Sequence, residues 1–227
     1  MPAPVVEQIQ GGLIVSCQAE EGSPFFAPEL MGRFARAAEL GGAVGIRAKW
    51  PDIPAIREAC GLPIIGLDKV HLEGFEVYIT PRFEDAQRIA EVGAAIIALD
   101  CTPRPRPGGV TMEELVGRIR TELGLPVMAD ISTLSEALAA EAAGADIVAT
   151  TLSGYTAYSS RGEGPDWGLL EAMVRAVKVP VIAEGGIWTP AEARCALDIG
   201  AWALVVGTAI TRPTEITKRF VNSLISA

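Results

Sequence analysis

EVGAAIIALD, Glu91 to Asp100, is the stretch on which the fold turns. A helix-like run, FEDAQRIAEV, breaks off at Gly93, and an apolar strand, AIIALD, follows at once and ends on an acid. Glycine just past a helix is the usual left-handed cap, because no Cβ obstructs that conformation. The phrase recurs along the chain: Gly42-Ala43 precedes VGIRA, Gly144-Ala145 precedes DIVATT, and Gly200-Ala201 precedes WALVVG. A second set of strands is introduced by proline, with Pro63 before IIGL, Pro126 before VMADI and Pro180 before VIAEG. The earliest apolar run, LIVSC at 13–17, has Gly11-Gly12 in front of it. Interleaved, the two sets predict strands beginning near residues 13, 44, 64, 96, 127, 147, 181 and 204. Helical patterns such as PELMGRFARAAEL, MEELVGRIRTEL, LSEALAAEAA and AEARCALDI separate them. Strands that alternate with helices pair in parallel through crossovers, and eight such units close into a barrel. The expectation is one (β/α)8 barrel of the TIM type spanning residues 1–227. An open doubly wound sheet competes, but it commonly has fewer strands and a GxGxxG turn, which this sequence lacks.

Composition sets the outer bounds. With 227 residues and 49% hydrophobic content the chain can build a substantial core. A formal net charge of −9 leaves no basic surplus for nucleic acid. A small anionic substrate stays open, because a few local donors outweigh an overall field. The N-terminus, MPAPVVEQIQ, has neither a basic segment nor an apolar run, so no secretory signal is expected. No apolar stretch approaches membrane-spanning length. Cys17, Cys60, Cys101 and Cys195 are scattered with no CxxC, which suits reduced thiols in a cytoplasmic protein. Phe220-Val221, near the C-terminus, suit the interface of a homodimer, a common state among such barrels.

Catalytic groups of these barrels sit at the C-terminal ends of the strands. Read in order, those ends carry Gln18, Arg47, Lys69, Asp100, Asp130, Thr150-Thr151, Glu184 and Gly207-Thr208. Strand alternation sorts them. Glu184 points inward if Ile182 does, Asp130 if Met128 does, Arg47 with Gly45, and Gln18 with Ser16. Two carboxylates, a guanidinium, an amide and an ammonium then converge on one pocket. Glu184 stands out, because a bare carboxylate ending the apolar strand PVIAE needs a partner or a task. It either pairs with a buried Arg or Lys and braces the fold, or it does chemistry.

The last two strands end in Glu184-Gly185-Gly186 and in Gly207-Thr208, where barrels of this kind frequently cradle phosphate with backbone N–H groups. Arg212 follows in the last loop and suits a bidentate contact to the same group. The competing reading is that the glycines only permit tight turns. No metal and no cofactor are expected: His71 is the only histidine, so no His/Asp cage can be assembled. Asp100 and Asp130 are of a type that holds Mg2+, but Asp100 can equally anchor Arg47 or cap a loop. Cys17 reads as a packing residue and His71 as a rim residue. One connection is anomalous: DKVHLEGFEVYIT, between IIGL and the next helix, exceeds a minimal turn, and a short extra strand is expected over EVYIT.

Six blocks in order, GLIVSCQA (12–19), GGAVGIRA (41–48), VMADIST (127–133), TTLSGYT (150–156), VIAEG (181–185) and AITRPTEITKRF (209–220), resemble the bacterial N-acetylmannosamine-6-phosphate 2-epimerases. The resemblance runs over nearly the full length. It implies a (β/α)8 barrel that interconverts N-acetylmannosamine 6-phosphate and N-acetylglucosamine 6-phosphate in sialic acid and aminosugar catabolism. Carried over by position, it places the catalytic lysine at Lys69 and the catalytic acid at Glu184, with Gln18, Arg47 and Asp130 contacting the sugar. Thr151 is a further substrate-binding candidate. LDKVHLEGF (67–75) and SSRGEGPDW (159–167) depart from the family's wording and put the rim contacts in question.

Inverting C2 requires removal of a proton α to the C1 aldehyde of the open-chain sugar. The enolate oxygen then needs preorganised donors, for which Arg47 or Gln18 are available. Lys69 can act as base only if its surroundings disfavour the ammonium form, and Arg47 nearby is expected to supply that push. Glu184 would act on the opposite side or in ring opening. Two-base inversion and a substrate-assisted shuttle both remain open at this point. So do a phosphate-binding barrel synthase or lyase using Lys69, and a barrel that binds without catalysis.

Overall fold

The computed structural model describes residues 2–159, 162 and 164–225. Its eight strands are Leu13–Cys17 (β1), Gly45–Lys49 (β2), Ile64–Leu67 (β3), Ile96–Asp100 (β4), Val127–Asp130 (β5), Ile147–Ala149 (β6), Val181–Glu184 (β7) and Ala203–Val206 (β8). They close in chain order, every pair parallel, with β8 hydrogen-bonded back to β1. The chain is thus a (β/α)8 TIM barrel, and each strand begins within a residue of its predicted start. Gly93 does what the repeat requires: it turns the chain out of the Phe83–Glu91 helix at φ +87. The corresponding Gly42, Gly144 and Gly200 adopt the same left-handed backbone.

Alternation along the strands divides the core into two. Ile14, Ile65, Ile96, Met128, Ile147, Ile182 and Val205 fill the barrel interior, and Val6 and Ile9 of the N-terminal segment plug its lower end. The plug is tied by Trp202, whose Nε1 donates to the Val6 carbonyl at 2.8 Å. Their neighbours Val15, Ile46, Ile97, Ala129, Val148, Ala183 and Leu204 face the helices. Inward rows therefore run Met128–Asp130 and Ile182–Glu184, so the apolar filling gives way to charge at the upper mouth.

The long connection after β3 departs from expectation. EVYIT forms no strand. Its residue Ile79 makes one isolated antiparallel bridge to Lys69, and Val70 N–H donates to the Tyr78 carbonyl at 2.8 Å. Thr80 ends the excursion in the left-handed region at φ +46, held by its hydroxyl donating to the Ala98 carbonyl at 2.7 Å. Thr80's left-handed backbone ends the pairing straight after Ile79, whose carbonyl accepts the Asp100 N–H at 3.0 Å on its other edge. Residues 160, 161 and 163 of the divergent SSRGEGPDW segment lie outside the described residues.

Candidate active site

Arg47, from the middle of β2, is the organising charge. Its residue is 1% exposed, and its two terminal nitrogens donate to Asp130 Oδ1 at 2.9 Å and Oδ2 at 2.6 Å. This is a planar two-bond fork, the strongest form of such a pair. Arg47 Nη1 also lies 3.1 Å from Glu184 Oε2. Burial disfavours the guanidinium charge, but Asp130 and Glu184 more than restore it, so Arg47 stays charged. Its Nε has no partner among the described residues.

Glu184 ends β7. The Thr150 hydroxyl fixes its backbone from both sides, accepting from the Glu184 N–H at 3.0 Å and donating to its carbonyl at 2.9 Å. Its carboxyl is pushed up from 4.5 to about 7: desolvation raises it, Arg47 opposes, and the neighbouring Asp130 charge raises it further. Thr151 Oγ1 supplies a geometric reason for the same state, lying 2.7 Å from Asp130 Oδ1 and 3.1 Å from Glu184 Oε2. One hydroxyl proton cannot serve two carboxylates at once. The trio is satisfied when Glu184 carries a proton of its own. Glu184 thus does pair with a buried arginine, and yet it opens into a cavity with its proton poised near neutrality.

That cavity, about 450 Å³, occupies the C-terminal mouth, a size suited to a small phosphosugar. Gln18, Arg47, Lys69, Thr151, Glu184, Gly185, Gly186, Gly207, Thr208 and Arg212 all line it. Asp130 does not. It is fully buried one layer below, where it holds Arg47 and Thr151. Gln18 donates from Nε2 to Ser16 Oγ at 2.8 Å, while its buried Oε1 has no partner among the described residues and is free to accept from a ligand. Gly186 serves packing as well as the cavity. Its φ is +72, and a Cβ there would meet the Gly164 backbone at 2.4 Å. The following loop is held by Glu192, which accepts the N–H groups of Trp188 at 2.7 Å and Thr189 at 2.8 Å, while Thr189 caps the Pro190–Ile199 helix.

Lys69 has a carboxylate partner of its own. Arg47 faces Asp130 and Glu184, whereas Lys69 Nζ pairs with Glu20 Oε1 at 2.8 Å. Arg47 is thus engaged by two carboxylates, and burial together with the Asp130 charge pushes the Glu184 carboxyl up. The Lys69 backbone is well fixed: Asp68 N–H donates to Thr80 Oγ1 at 3.2 Å, and Asp68 Oδ2 accepts from Arg88 at 2.9 Å. Asp100 does not anchor Arg47. It braces its own loop, accepting from Thr102 N–H at 2.9 Å and Arg104 Nη2 at 2.6 Å. Among the described residues no group of three or more His, Cys, Asp or Glu is placed to hold a metal. His71 stacks on Tyr78, and Cys17 is buried with its thiol pushed up to about 12 by desolvation. The sequence reading missed Glu20, Tyr78, Tyr155 and Trp188 of the cavity wall. For Glu20 a signal existed, an acid two residues beyond Gln18. The aromatics come from loops whose course no periodicity reveals.

A closed barrel with a near-neutral carboxyl and a lysine in one cavity belongs to the acid–base enzymes of this fold. Residues 31–226 match the family described as "Putative N-acetylmannosamine-6-phosphate epimerase". Two relatives carry the name "Putative N-acetylmannosamine-6-phosphate 2-epimerase". The one from Caldanaerobacter subterraneus subsp. tengcongensis is 52% identical over 98% of this chain and 94% of its own. The one from Thermosynechococcus vestitus is 54% identical over 96% and 95%. The solved structure of the N-acetylmannosamine-6-phosphate 2-epimerase from Clostridium perfringens superposes with a TM-score of 0.94 at 47% identity, covering 97% of this chain and 96% of that one. The chain belongs to the N-acetylmannosamine-6-phosphate 2-epimerase family.

Proposed function

We infer that this chain performs the reaction for which its family is named, interconverting N-acetylmannosamine 6-phosphate and N-acetylglucosamine 6-phosphate by proton transfer at C2. The observation that carries this reading is Glu184, a carboxyl held near neutral pH inside the cavity that also contains Lys69. A group that titrates near the working pH can give and take a proton with little penalty either way. Lys69 and Glu184 are the two proton-handling groups. Gln18, Arg47 and Thr151 bind the sugar, and Asp130 acts through Arg47 and Thr151. In this reading Arg47 stabilises the enolate oxygen by charge and Gln18 through the second N–H of its amide. Gly185, Gly186, Gly207, Thr208 and Arg212 form the phosphate end.

The reaction calls on no metal and no other cofactor. The reading places the protein in the cytoplasm, as one barrel domain over residues 1–227 that meets neither nucleic acid nor membrane. No helix of the described residues is long and apolar enough to cross a membrane. A homodimer is part of this reading: the Pro213–Ile225 helix buries none of its described residues and leaves Phe220 71% and Leu224 81% exposed. An apolar face of that kind suits a second copy of the chain.

Incubation with N-acetylmannosamine 6-phosphate in D2O, followed by NMR, tests the function. Expected is appearance of N-acetylglucosamine 6-phosphate with solvent deuterium at C2, without added metal or nucleotide. Binding with no loss of the C2 proton and no second sugar would remove the epimerase reading.

A further inference from the structure

Between the two proposed ends of the site stands a carboxylate that neither end needs. Glu20 Oε1 accepts from Lys69 Nζ at 2.8 Å and from Arg212 Nη2 at 3.0 Å, so a single oxygen bridges the proton-transfer lysine and the phosphate-end arginine. We infer that Glu20 is an internal anion that holds Lys69 and Arg212 in the absence of substrate and is displaced when the substrate's phosphate enters. This rests on the epimerase reading and its placing of the phosphate at Arg212.

Three observations carry it. The first is charge balance. The cavity region holds three cations, Arg47, Lys69 and Arg212, and three carboxyl groups, Glu20, Asp130 and Glu184. Asp130 and Glu184 both face Arg47, and Glu20 is the carboxylate that pairs with the other two cations. A phosphate monoester carries about −1.5 to −2 charges at neutral pH, more than the single charge with which Glu20 holds Arg212, so its arrival at Arg212 favours withdrawal of Glu20 and frees Lys69.

The second is mobility of the right part. Ser23 N–H donates to the Glu20 carbonyl at 3.0 Å in a tight turn with Gly22 at φ +83, and Lys49 holds the preceding Ala19 carbonyl. The backbone is thereby fixed, while the Glu20 side chain is 49% exposed and can rotate into solvent without leaving a buried charge behind. Exposed ion pairs of this kind are weak enough to be exchanged.

The third is the state of the carboxyl itself. Partial burial raises its affinity for protons, but the hydrogen bond and charge of Lys69, with the charges of Lys49 and Arg212, overcome that and hold it below the usual carboxylate range. Glu20 is therefore an anion that competes with any other anion for the same donors. It touches no reacting atom and acts through Lys69 and Arg212 as a positioning residue.

Inorganic phosphate, as a competitive inhibitor of the epimerisation, is the probe. Two unit charges about 5 Å apart in water weaken binding about fourfold, so Glu20→Gln should lower the Ki of phosphate by about that factor or more. The KM for the phosphosugar should fall in step with the Ki. Glu20→Asp keeps the charge and should leave the Ki near wild type. Arg212→Ala should raise the Ki about tenfold or more. If Arg212→Ala raises it but Glu20→Gln leaves it unchanged or higher, Glu20 is only a brace and the inference falls while the phosphate end stands. If Arg212→Ala leaves the Ki unchanged, the phosphate sits elsewhere and the inference falls with that assignment.

Discussion

Arg47 and Arg212 each meet a carboxylate at 3.0 Å or less in the same cavity, yet the two pairs are built for different ends. Arg47 lies in a strand, wholly buried, and forks onto an Asp130 that is equally buried. Arg212 follows the short Thr208–Thr211 helix, is 36% exposed by its side chain, and shares one oxygen of Glu20 with Lys69. The inner pair has no solvent to turn to, so its partners fix each other's position. The outer set can exchange its anion for another. A sugar carbon that must be presented within tenths of an ångström calls for the first arrangement, and a phosphate that must enter and leave calls for the second.

The largest effect expected from breaking this comparison is on turnover. Glu184→Gln keeps the contact with Arg47 and the shape of β7 but cannot take a proton from the substrate. Lys69→Ala removes the second proposed proton-handling group from the cavity wall. General acid–base groups contribute about 10²–10⁴ in rate, and each variant should lose that much kcat with its fold intact. Proton exchange in D2O then separates the mechanisms. If each residue serves one face of C2, each variant still exchanges one epimer's proton without completing inversion. If Lys69 alone handles that proton, its variant exchanges neither epimer. Near wild-type turnover in Lys69→Ala would return Lys69 to the role of a rim residue tied to Glu20.

Stability distinguishes inner from outer next. Asp130→Asn leaves the Arg47 guanidinium buried with only Glu184 opposite it, and breaking a buried pair in this way costs about 3–5 kcal/mol. Glu20→Gln removes a half-exposed partner from a screened site and should cost about 0–1 kcal/mol. Urea unfolding of both variants at neutral pH makes the measurement. Equal losses would mean that the two sites do not differ in the way their burial indicates.

The division was partly legible in the sequence. Alternation put Arg47, Asp130 and Glu184 on inward rows, because Gly45, Met128 and Ile182 precede them at period two and strand register transmits that parity without error. The same rule could not say that Asp130 stops one layer below the cavity, since depth along a barrel depends on shear between strands and not on any one strand's pattern. Nor could it find the partner of Lys69. Glu20 is 49 residues away on the far side of β2, set by a turn around Gly22 that has no periodicity to read. The loop 68–80 defeated the strand expectation for a related reason: EVYIT has strand composition, but Thr80 turns into the left-handed region straight after Ile79 and ends the pairing.

The most gradual effect, spread over the pH scale, tests why Glu184 titrates where it does. Its carboxyl sits at about 7 in the folded chain against an ordinary value of 4.5, so the folded protein keeps a proton that the unfolded chain releases between those limits. The stability this contributes is present in full below pH 4.5 and is lost as the pH rises towards 7 and through it. Other carboxylates titrate in the same window, so the wild-type curve alone cannot isolate the effect. Glu184→Gln can, because its amide is neutral throughout and everything else is unchanged. The stability difference between variant and wild type should be flat below about pH 4.5 and should then grow in the variant's favour by up to about 1.4 kcal/mol per pH unit until pH 7. Adding Asp130→Asn to both should narrow the pH span over which the difference grows, since the Asp130 charge is one of the two causes raising the Glu184 carboxyl. Curves that run parallel from pH 4 to 8 would mean that Glu184 is already ionised beside Arg47, and the proton shared through Thr151 would belong to Asp130 alone.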